Sequence, residues 1–364
     1  MTTASDKKWL IYGAYGYTGE LVTREAVAHG KRPVVAGRNI EKLKPLALKH
    51  GLSLRAFDVA DAAEHLSDID IVINCAGPFA ATAEAMMNAC VAQGIHYFDV
   101  TGEISVFESA HRKHEKARQS GNILCPGVGF DIVPTDCLAA LLKQELPDAS
   151  HLELAFDFGT LPSIGTARTA IQGIKDGCLI RENGQVTSVG LGYRIRKVPF
   201  VGSPRWAVSF PWGDVFTSQI STAIPNAIVY AALPYPLCWG MKLANPLRGI
   251  LSKTYPQKAL NYLAESLLRD GPSETTRHST STSFWGRVVN QDGRECSGTI
   301  TGPSVYSMTA ETAVAIALEA EQKQQAGGYY TASMLVGADF LTARKGYSVK
   351  IHGVSKEAGF ASVT

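Results

Sequence analysis

The segment Gly13-Ala14-Tyr15-Gly16-Tyr17-Thr18-Gly19 constrains this chain more than any other. It joins a short apolar run, Trp9-Leu-Ile-Tyr12, to a stretch from Tyr17 to His29 that places Leu21, Val22 and Val27 near one face. An apolar run ending at glycine suits a buried parallel strand. The amphipathic stretch closed by Gly30 suits a helix. In that setting each glycine has its own work. The first permits a tight turn, the second lets backbone approach a pyrophosphate, and the third allows close packing of helix on strand. The helix start adds unpaired N–H groups that favour phosphate. The Gly-x-x-Gly-x-x-Gly spacing is one residue longer than the most familiar fingerprint, so the strand–helix context carries the assignment.

The alternation continues. Strands are expected at Pro33–Ala36, Leu54–Val59, Asp70–Asn74, Ile95–Val100 and Ile123–Cys125, with helices at Ile40–His50, about Thr82–Gln93 and Ser105–Ser120. This predicts an α/β fold with a doubly wound parallel (Rossmann) sheet. After about Asp148 the rhythm changes. His151–Phe158 and Val208–Tyr230 read as strands, Thr166–Lys175 as a helix, and Glu182-Asn-Gly-Gln185 and Gln291-Asp-Gly293 as hairpin turns. Thr309–Gln325 and Tyr330–Leu341 read as helices. The chain of 364 residues is long enough for more than one core. We therefore expect a dinucleotide-binding domain at 1–148 and an inserted α+β substrate or dimerisation domain at 149–305. C-terminal helices at 306–364 are expected to pack back on the first domain.

The second strand decides the cofactor. A carboxylate there would hold the ribose hydroxyls of NAD. Here the strand ends Ala36-Gly37-Arg38-Asn39, and Arg38 suits the 2′-phosphate of NADP through a charge-assisted fork. Further cofactor contacts are expected from Asn39, from Asp58 and Val59 by the adenine, and from Cys75-Ala76-Gly77-Pro78-Phe79 towards the nicotinamide. Thr101-Gly102-Glu103 and Gly129-Phe130-Asp131 would border the reacting end. Hydride transfer needs position, a dry pocket and a group that handles the charge left behind. Asp131 and Glu103 are the catalytic candidates by position, although Asp131 equally suits capping the next helix.

Composition removes other classes. A formal net charge of +2 without a basic cluster gives no reason to expect nucleic acid, and Tyr193-Arg-Ile-Arg-Lys197 reads as one face of a strand. Tyr193 and Lys197 share the spacing of a known acid pair but not its domain, so coincidence is favoured. Seven scattered cysteines without a Cys-x-x-Cys pair imply neither a disulfide framework nor zinc, and fit a reducing, cytoplasmic compartment. His111 and His114 sit among charged residues and read as a solvated helix face; no metal is expected. The polar N-terminus shows no signal peptide. Val215–Met241 carries no charge, but Pro225, Pro234 and Pro236 interrupt it, which argues against a spanning helix. It reads as a buried strand followed by a core helix, or as an apolar interfacial patch at 227–241.

Taken together, Gly13–Gly19, Ala36-Gly-Arg38, Cys75-Ala-Gly-Pro-Phe79 and Pro126-Gly-Val-Gly-Phe-Asp131-Ile-Val-Pro-Thr-Asp136 resemble the saccharopine dehydrogenase-like family, and within it the trans-acting enoyl reductase branch. Ser163-Ile-Gly-Thr166, Thr222-Ala-Ile-Pro-Asn226, Phe284-Trp-Gly286 and Tyr306-Ser-Met-Thr-Ala310 extend the resemblance along the chain. It implies a two-domain NADP(H) reductase with its substrate between the domains, the substrate being an unsaturated lipid or polyketide acyl chain, free or carrier-bound. The chain departs from saccharopine-forming enzymes: Arg168, Arg181, Arg194 and Arg205 follow no pattern that would hold a dicarboxylate amino acid. Two other readings stay open, an amino-acid dehydrogenase acting at a C–N bond and a non-catalytic NADPH-binding regulator. A homodimer through the second domain is compatible with any of them.

Overall fold

The computed structural model describes residues 7–159, 167–168, 171, 173–267, 274–323 and 325–356. The motif Ser163–Thr166 and most of the helix expected at Thr166–Lys175 lie outside them. The chain divides into two compact units, one of residues 1–133 and 306–336, the other of residues 134–305 and 337–364.

In the first unit, β1 (Trp9–Tyr12), β2 (Val34–Gly37), β3 (Leu54–Ala56), β4 (Ile71–Asn74), β5 (His96–Asp99) and β6 (Ile123–Cys125) form a parallel sheet. The order is β3-β2-β1-β4-β5-β6, extended beyond β6 by β15 (Gly328–Tyr329). This is the doubly wound order, whose reversal falls between β1 and β4. Both of those strands are buried along their whole length, which is why they read as continuous apolar runs. The connecting helices are α1 (Tyr17–Ala28), α2 (Ile40–His50), α3 (Phe79–Gln93), α4 (Ile104–Arg112) and α5 (His114–Ser120). The single polar helix expected over Ser105–Ser120 is in fact two, broken at Lys113. His114 is not merely solvated: its Nδ1 accepts from the Tyr329 N–H at 3.2 Å. The helix Val305–Gln322 is fastened to the sheet from both ends. Glu321 accepts from the Trp9 indole at 3.1 Å and pairs with Lys31 at 2.8 Å, while Thr312 donates to the Val128 carbonyl at 2.8 Å.

The second unit is built on a mixed sheet. Its main path runs β10 (Ile195–Val198), β11 (Arg205–Ser209), β12 (Asn226–Ala232), β7 (His151–Asp157), β13 (Ser281–Val289), β14 (Arg294–Pro303) and β16 (Ser348–Lys356), with only β12 and β7 parallel. The hairpin β8 (Cys178–Glu182) and β9 (Gln185–Val189) joins at β12 through Arg181 and turns at Asn183-Gly184, both with positive φ. The helix α6 (Val133–Glu145) packs here, its Leu138 and Leu142 filling the space a side chain at Gly286 would need.

Three expectations are corrected. Val208–Tyr230 is not all strand, because the helix Asp214–Thr222 interrupts it. Buried Arg181 explains this, since its guanidinium donates to the carbonyls of Val215 and Ile224 and to the Ser218 hydroxyl. The C-terminal segment is not helical to its end: Ser348–Thr301 pairing begins an antiparallel strand along β14. In the uncharged stretch, β12 is buried as expected, but the helix after it, Tyr235–Ala244, is not a core helix; of its residues Cys238 is the buried one. Among the described residues no helix is long and apolar enough to cross a membrane.

Candidate dinucleotide site

The loops that follow β1, β2, β3 and β4 surround a cleft of about 420 Å³ in the first unit. Tyr12, Gly13, Tyr15, Gly16, Gly37, Arg38, Asp58, Val59, Cys75, Ala76, Gly77, Pro78, Ala81 and Thr82 line it. Its place at the carboxyl ends of the strands, where the strand order reverses, is where such sheets bind ligands.

The cradle is set by close backbone approach. Gly13 adopts φ +76°, and a Cβ there would stand 2.8 Å from the Ala76 nitrogen. The N–H groups of Gly13 and Ala14 both reach the Ala36 carbonyl, at 2.8 and 3.1 Å, pinning the loop to the end of β2. A Cβ at Gly19 would lie 2.3 Å from the Gly13 carbonyl oxygen, so the third glycine lets α1 start directly beneath the turn. Gly16 is the N-cap of α1 and has no side chain to satisfy that helix start, which leaves its first N–H groups for an anion. Gly37 makes room for the Tyr15 ring, whose edge would otherwise be 2.7 Å from a Cβ. The Tyr15 ring also carries the Lys42 ammonium at 5.8 Å. Arg38 is exposed at the cleft and makes no salt bridge among the described residues. The residues present therefore fit a dinucleotide with a phosphorylated ribose.

The other cofactor candidates divide. Asp58 lines the cleft and caps the turn Val59–His65 by accepting from the Ala60 N–H at 3.1 Å. Asn39 caps α2 instead, accepting from the Lys42 N–H at 3.1 Å. Tyr17 leaves the cleft to stack edge-on against Tyr306, and Thr18 sits in the first turn of α1. Cys75 is no nucleophile: desolvation, helped by the Asp99 carboxylate, pushes its thiol up to about 12. Sequence reasoning missed Tyr12, Gly37, Ala81 and Thr82 in the lining. It also missed Asn74, which holds the loop after β4 by accepting from the Ala76 N–H and donating to Thr82. The position of Asn74 as the last residue of a buried strand was the available signal.

The ends of β5 and β6 and the loops after them carry carboxyl groups beside their glycines. Asp99, fully buried, accepts from the N–H groups of Thr101 and Gly127 at 3.0 and 2.9 Å and from the Tyr97 hydroxyl at 2.7 Å. Desolvation nevertheless raises its pKa to about 6. Thr101 in turn accepts from the Glu103 N–H at 3.0 Å. Glu103 spends both oxygens on the start of α3, accepting from the N–H groups of Phe79 and Ala80 at 2.9 and 2.8 Å. Asp131 lies against Gly102, and its environment differs. Desolvation, with the Glu103 charge adding to it, lifts its carboxyl to about 7.

Comparison with known proteins agrees with this geometry. Residues 9–125 match the family model described as the saccharopine dehydrogenase NADP binding domain. The chain is 28% identical over 233 residues to the mouse saccharopine dehydrogenase-like oxidoreductase, covering 55% of this chain and 53% of that one. It is 30% identical over 139 residues to the trans-acting enoyl reductase of Mycobacterium bovis, covering 35% and 33%. The chain thus spans about half the length of the mouse and human relatives that it matches. The solved apo saccharopine dehydrogenase (L-Glu forming) of Saccharomyces cerevisiae shares the fold, with a TM-score of 0.61 at 12% identity over 96% of this chain and 100% of that one. Strand order, glycine cradle and Arg38 agree with the family match: residues 9–125 are similar to the saccharopine dehydrogenase NADP binding domain, and the first unit carries the features of an NADP-binding domain.

Proposed function

We propose that the chain is an NADPH-dependent oxidoreductase that reduces an apolar, unsaturated acyl substrate. One observation carries the cofactor half: a glycine cradle at the β1–β4 switch with exposed Arg38, and no carboxylate, at the end of β2. Arg38 would hold the 2′-phosphate, and the first N–H groups of α1 would hold the pyrophosphate. When bound, NADPH supplies the hydride. Asp131, on the loop after β6 and against Gly102, is the proton donor in this reading; burial and the Glu103 charge raise its carboxyl to about 7, so it keeps a proton closer to neutrality than an ordinary carboxyl does. Glu103 is a positioning residue that holds the loop Cys75–Phe79 through α3.

The acyl half rests on the similarity to a protein named trans-acting enoyl reductase and on the engagement of four second-unit arginines by other groups. Arg168 pairs with Glu265, Arg205 with Asp157 and Arg196 with Glu153, while Arg181 is buried on carbonyls. An amino-acid dehydrogenase would need such groups for substrate carboxylates. Seven free cysteines, six of them buried, suit a reducing, cytoplasmic setting.

The test is NADPH oxidation with a series of trans-2-enoyl thioesters, using NADPH deuterated at nicotinamide C4. Deuterium at C3 of the saturated product supports the reading. Reduction of NADP+ on oxidation of saccharopine or other secondary amino acids, with no NADPH oxidation by enoyl thioesters, would replace it with the amino-acid dehydrogenase.

A further inference from the structure

We propose that three consecutive helices of the second unit, Tyr235–Ala244, Arg248–Leu251 and Thr254–Leu267, form a docking face for an anionic phospholipid surface. The apolar character of the uncharged stretch has two destinations. In β12 it is buried and belongs to the sheet core. Beyond Ala232 it faces water, with Tyr235 46% exposed, Leu237 51% and Trp239 40%, and the exposed apolar residues continue past it at Leu243, Ile250, Tyr255 and Tyr262. Isolated exposed apolar residues are ordinary, but a run of them across neighbouring helices marks an interaction surface.

Helical spacing gathers them. Tyr235, Trp239 and Leu243 recur every four residues along the first helix, and Tyr255, Tyr262 and Leu263 fall at i, i+7 and i+8 of the third. Rows of this kind let a helix lie flat with one side immersed. The third helix has 14 residues, a length of about 21 Å, too short to span a hydrocarbon core of about 30 Å.

Charge selects the occupant. No Asp or Glu occurs between Asp214 and Glu265, while Lys242, Arg248, Lys253 and Lys258 do. Lys242, Lys253 and Lys258 are exposed, and the Lys242 ammonium lies 5.3 Å from the Trp239 ring. Aromatic rings beside long cationic side chains are the residues that settle at headgroup depth, the rings immersed and the ammonium groups extended towards phosphate. A second copy of the chain is the poorer occupant. A twofold interface sets a patch against itself, and here it would oppose four cations with one carboxylate on these helices, Glu265, which already pairs with Arg168.

The experiment is co-sedimentation of the full chain with vesicles of phosphatidylcholine alone, or with one third phosphatidylglycerol, at low and high salt. Oligomeric state is measured in parallel by analytical ultracentrifugation. Binding to the anionic vesicles, weakened by salt and feeble on the neutral ones, is expected. A triple variant, Lys242→Gln with Lys253→Gln and Lys258→Gln, should bind about 100-fold more weakly, at roughly fivefold per cation. A second variant, Leu243→Ser with Tyr255→Ser and Tyr262→Ser, should also lose binding while keeping the wild-type circular dichroism spectrum and cooperative thermal melt, which show the fold intact. Absent vesicle binding, or equal binding to neutral and anionic vesicles, would overturn the proposal. A wild-type dimer that the second variant dissociates, without vesicle binding, would assign the face to a second copy instead.

Discussion

The loops after β1, β2 and β4 shape the cleft by close backbone approach, with the Arg38 side chain exposed beside it, whereas the loops after β5 and β6 present carboxyl groups. On the first side the determining facts are spatial: a left-handed Gly13 against Ala76, a Gly37 beneath Tyr15, a Gly19 against its own turn. On the second side they are electrostatic, and chemically similar groups diverge. Glu103 has both oxygens occupied by two N–H groups at a helix start, while Asp131, desolvated beside it, is driven towards its neutral form. One side can be built only from small residues. The other is tuned by what surrounds each carboxyl.

The comparison breaks most sharply at Gly13. Gly13→Ala places a Cβ in a left-handed residue within 2.8 Å of backbone, and should cost about 3 kcal/mol of stability and abolish the thermal shift given by NADPH. Retention of that shift would mean that the cradle tolerates a side chain. Next comes Asp131→Asn, expected to lower turnover about 100-fold with the NADPH affinity unchanged. Glu103→Gln should behave in the opposite way, losing about 1 kcal/mol in a thermal melt while turnover changes less than about threefold. Equal damage to turnover by both substitutions would erase the distinction between proton donor and positioning residue.

Titration sharpens the same contrast. A proton donor at about 7 must be protonated, so kcat should fall as pH rises through neutrality, and Asp131→Asn should flatten that limb. The stability effect has a defined sign. Asp131 and Asp99 are raised to about 7 and about 6, so the fold holds protons that the unfolded chain has released, and their contribution is lost as pH rises from about 4 towards those values. His96 opposes them. Desolvation and Lys7 push it down to about 4, so its contribution grows as pH rises from about 4 to about 6.5. Urea titrations of wild type and Asp131→Asn across this range would separate the two; a wild-type stability that rises where the variant's is flat would contradict the assignment.

How much of this was legible in the sequence follows the same division. Strands β1 and β6 and helix α2 fall where periodicity and glycines put them, because parallel buried strands and capped helices are locally encoded. Arg38 and Cys75–Pro78 could be placed because strand ends map directly onto the cleft. Glu103 and Asp131 could not be told apart, since the N–H groups that hold Glu103 belong to residues 79 and 80. The helix Asp214–Thr222 was equally hidden: its Val, Phe, Thr and Ile residues favour strand, and the buried Arg181 that secures it lies in another element. The apolar stretch after Val215 had the right composition for a core, and only exposure shows that its second half faces outward.

Isothermal titration of NADPH and NADH tests the central claim most directly, because Arg38 is the residue on which the cofactor assignment turns. The account predicts that the wild-type protein binds NADPH about 100-fold more tightly, as expected for one charge-assisted pair, and that Arg38→Asp abolishes or reverses the preference. Equal affinities for the two cofactors in the wild-type protein, or a preference unchanged in Arg38→Asp, would contradict it.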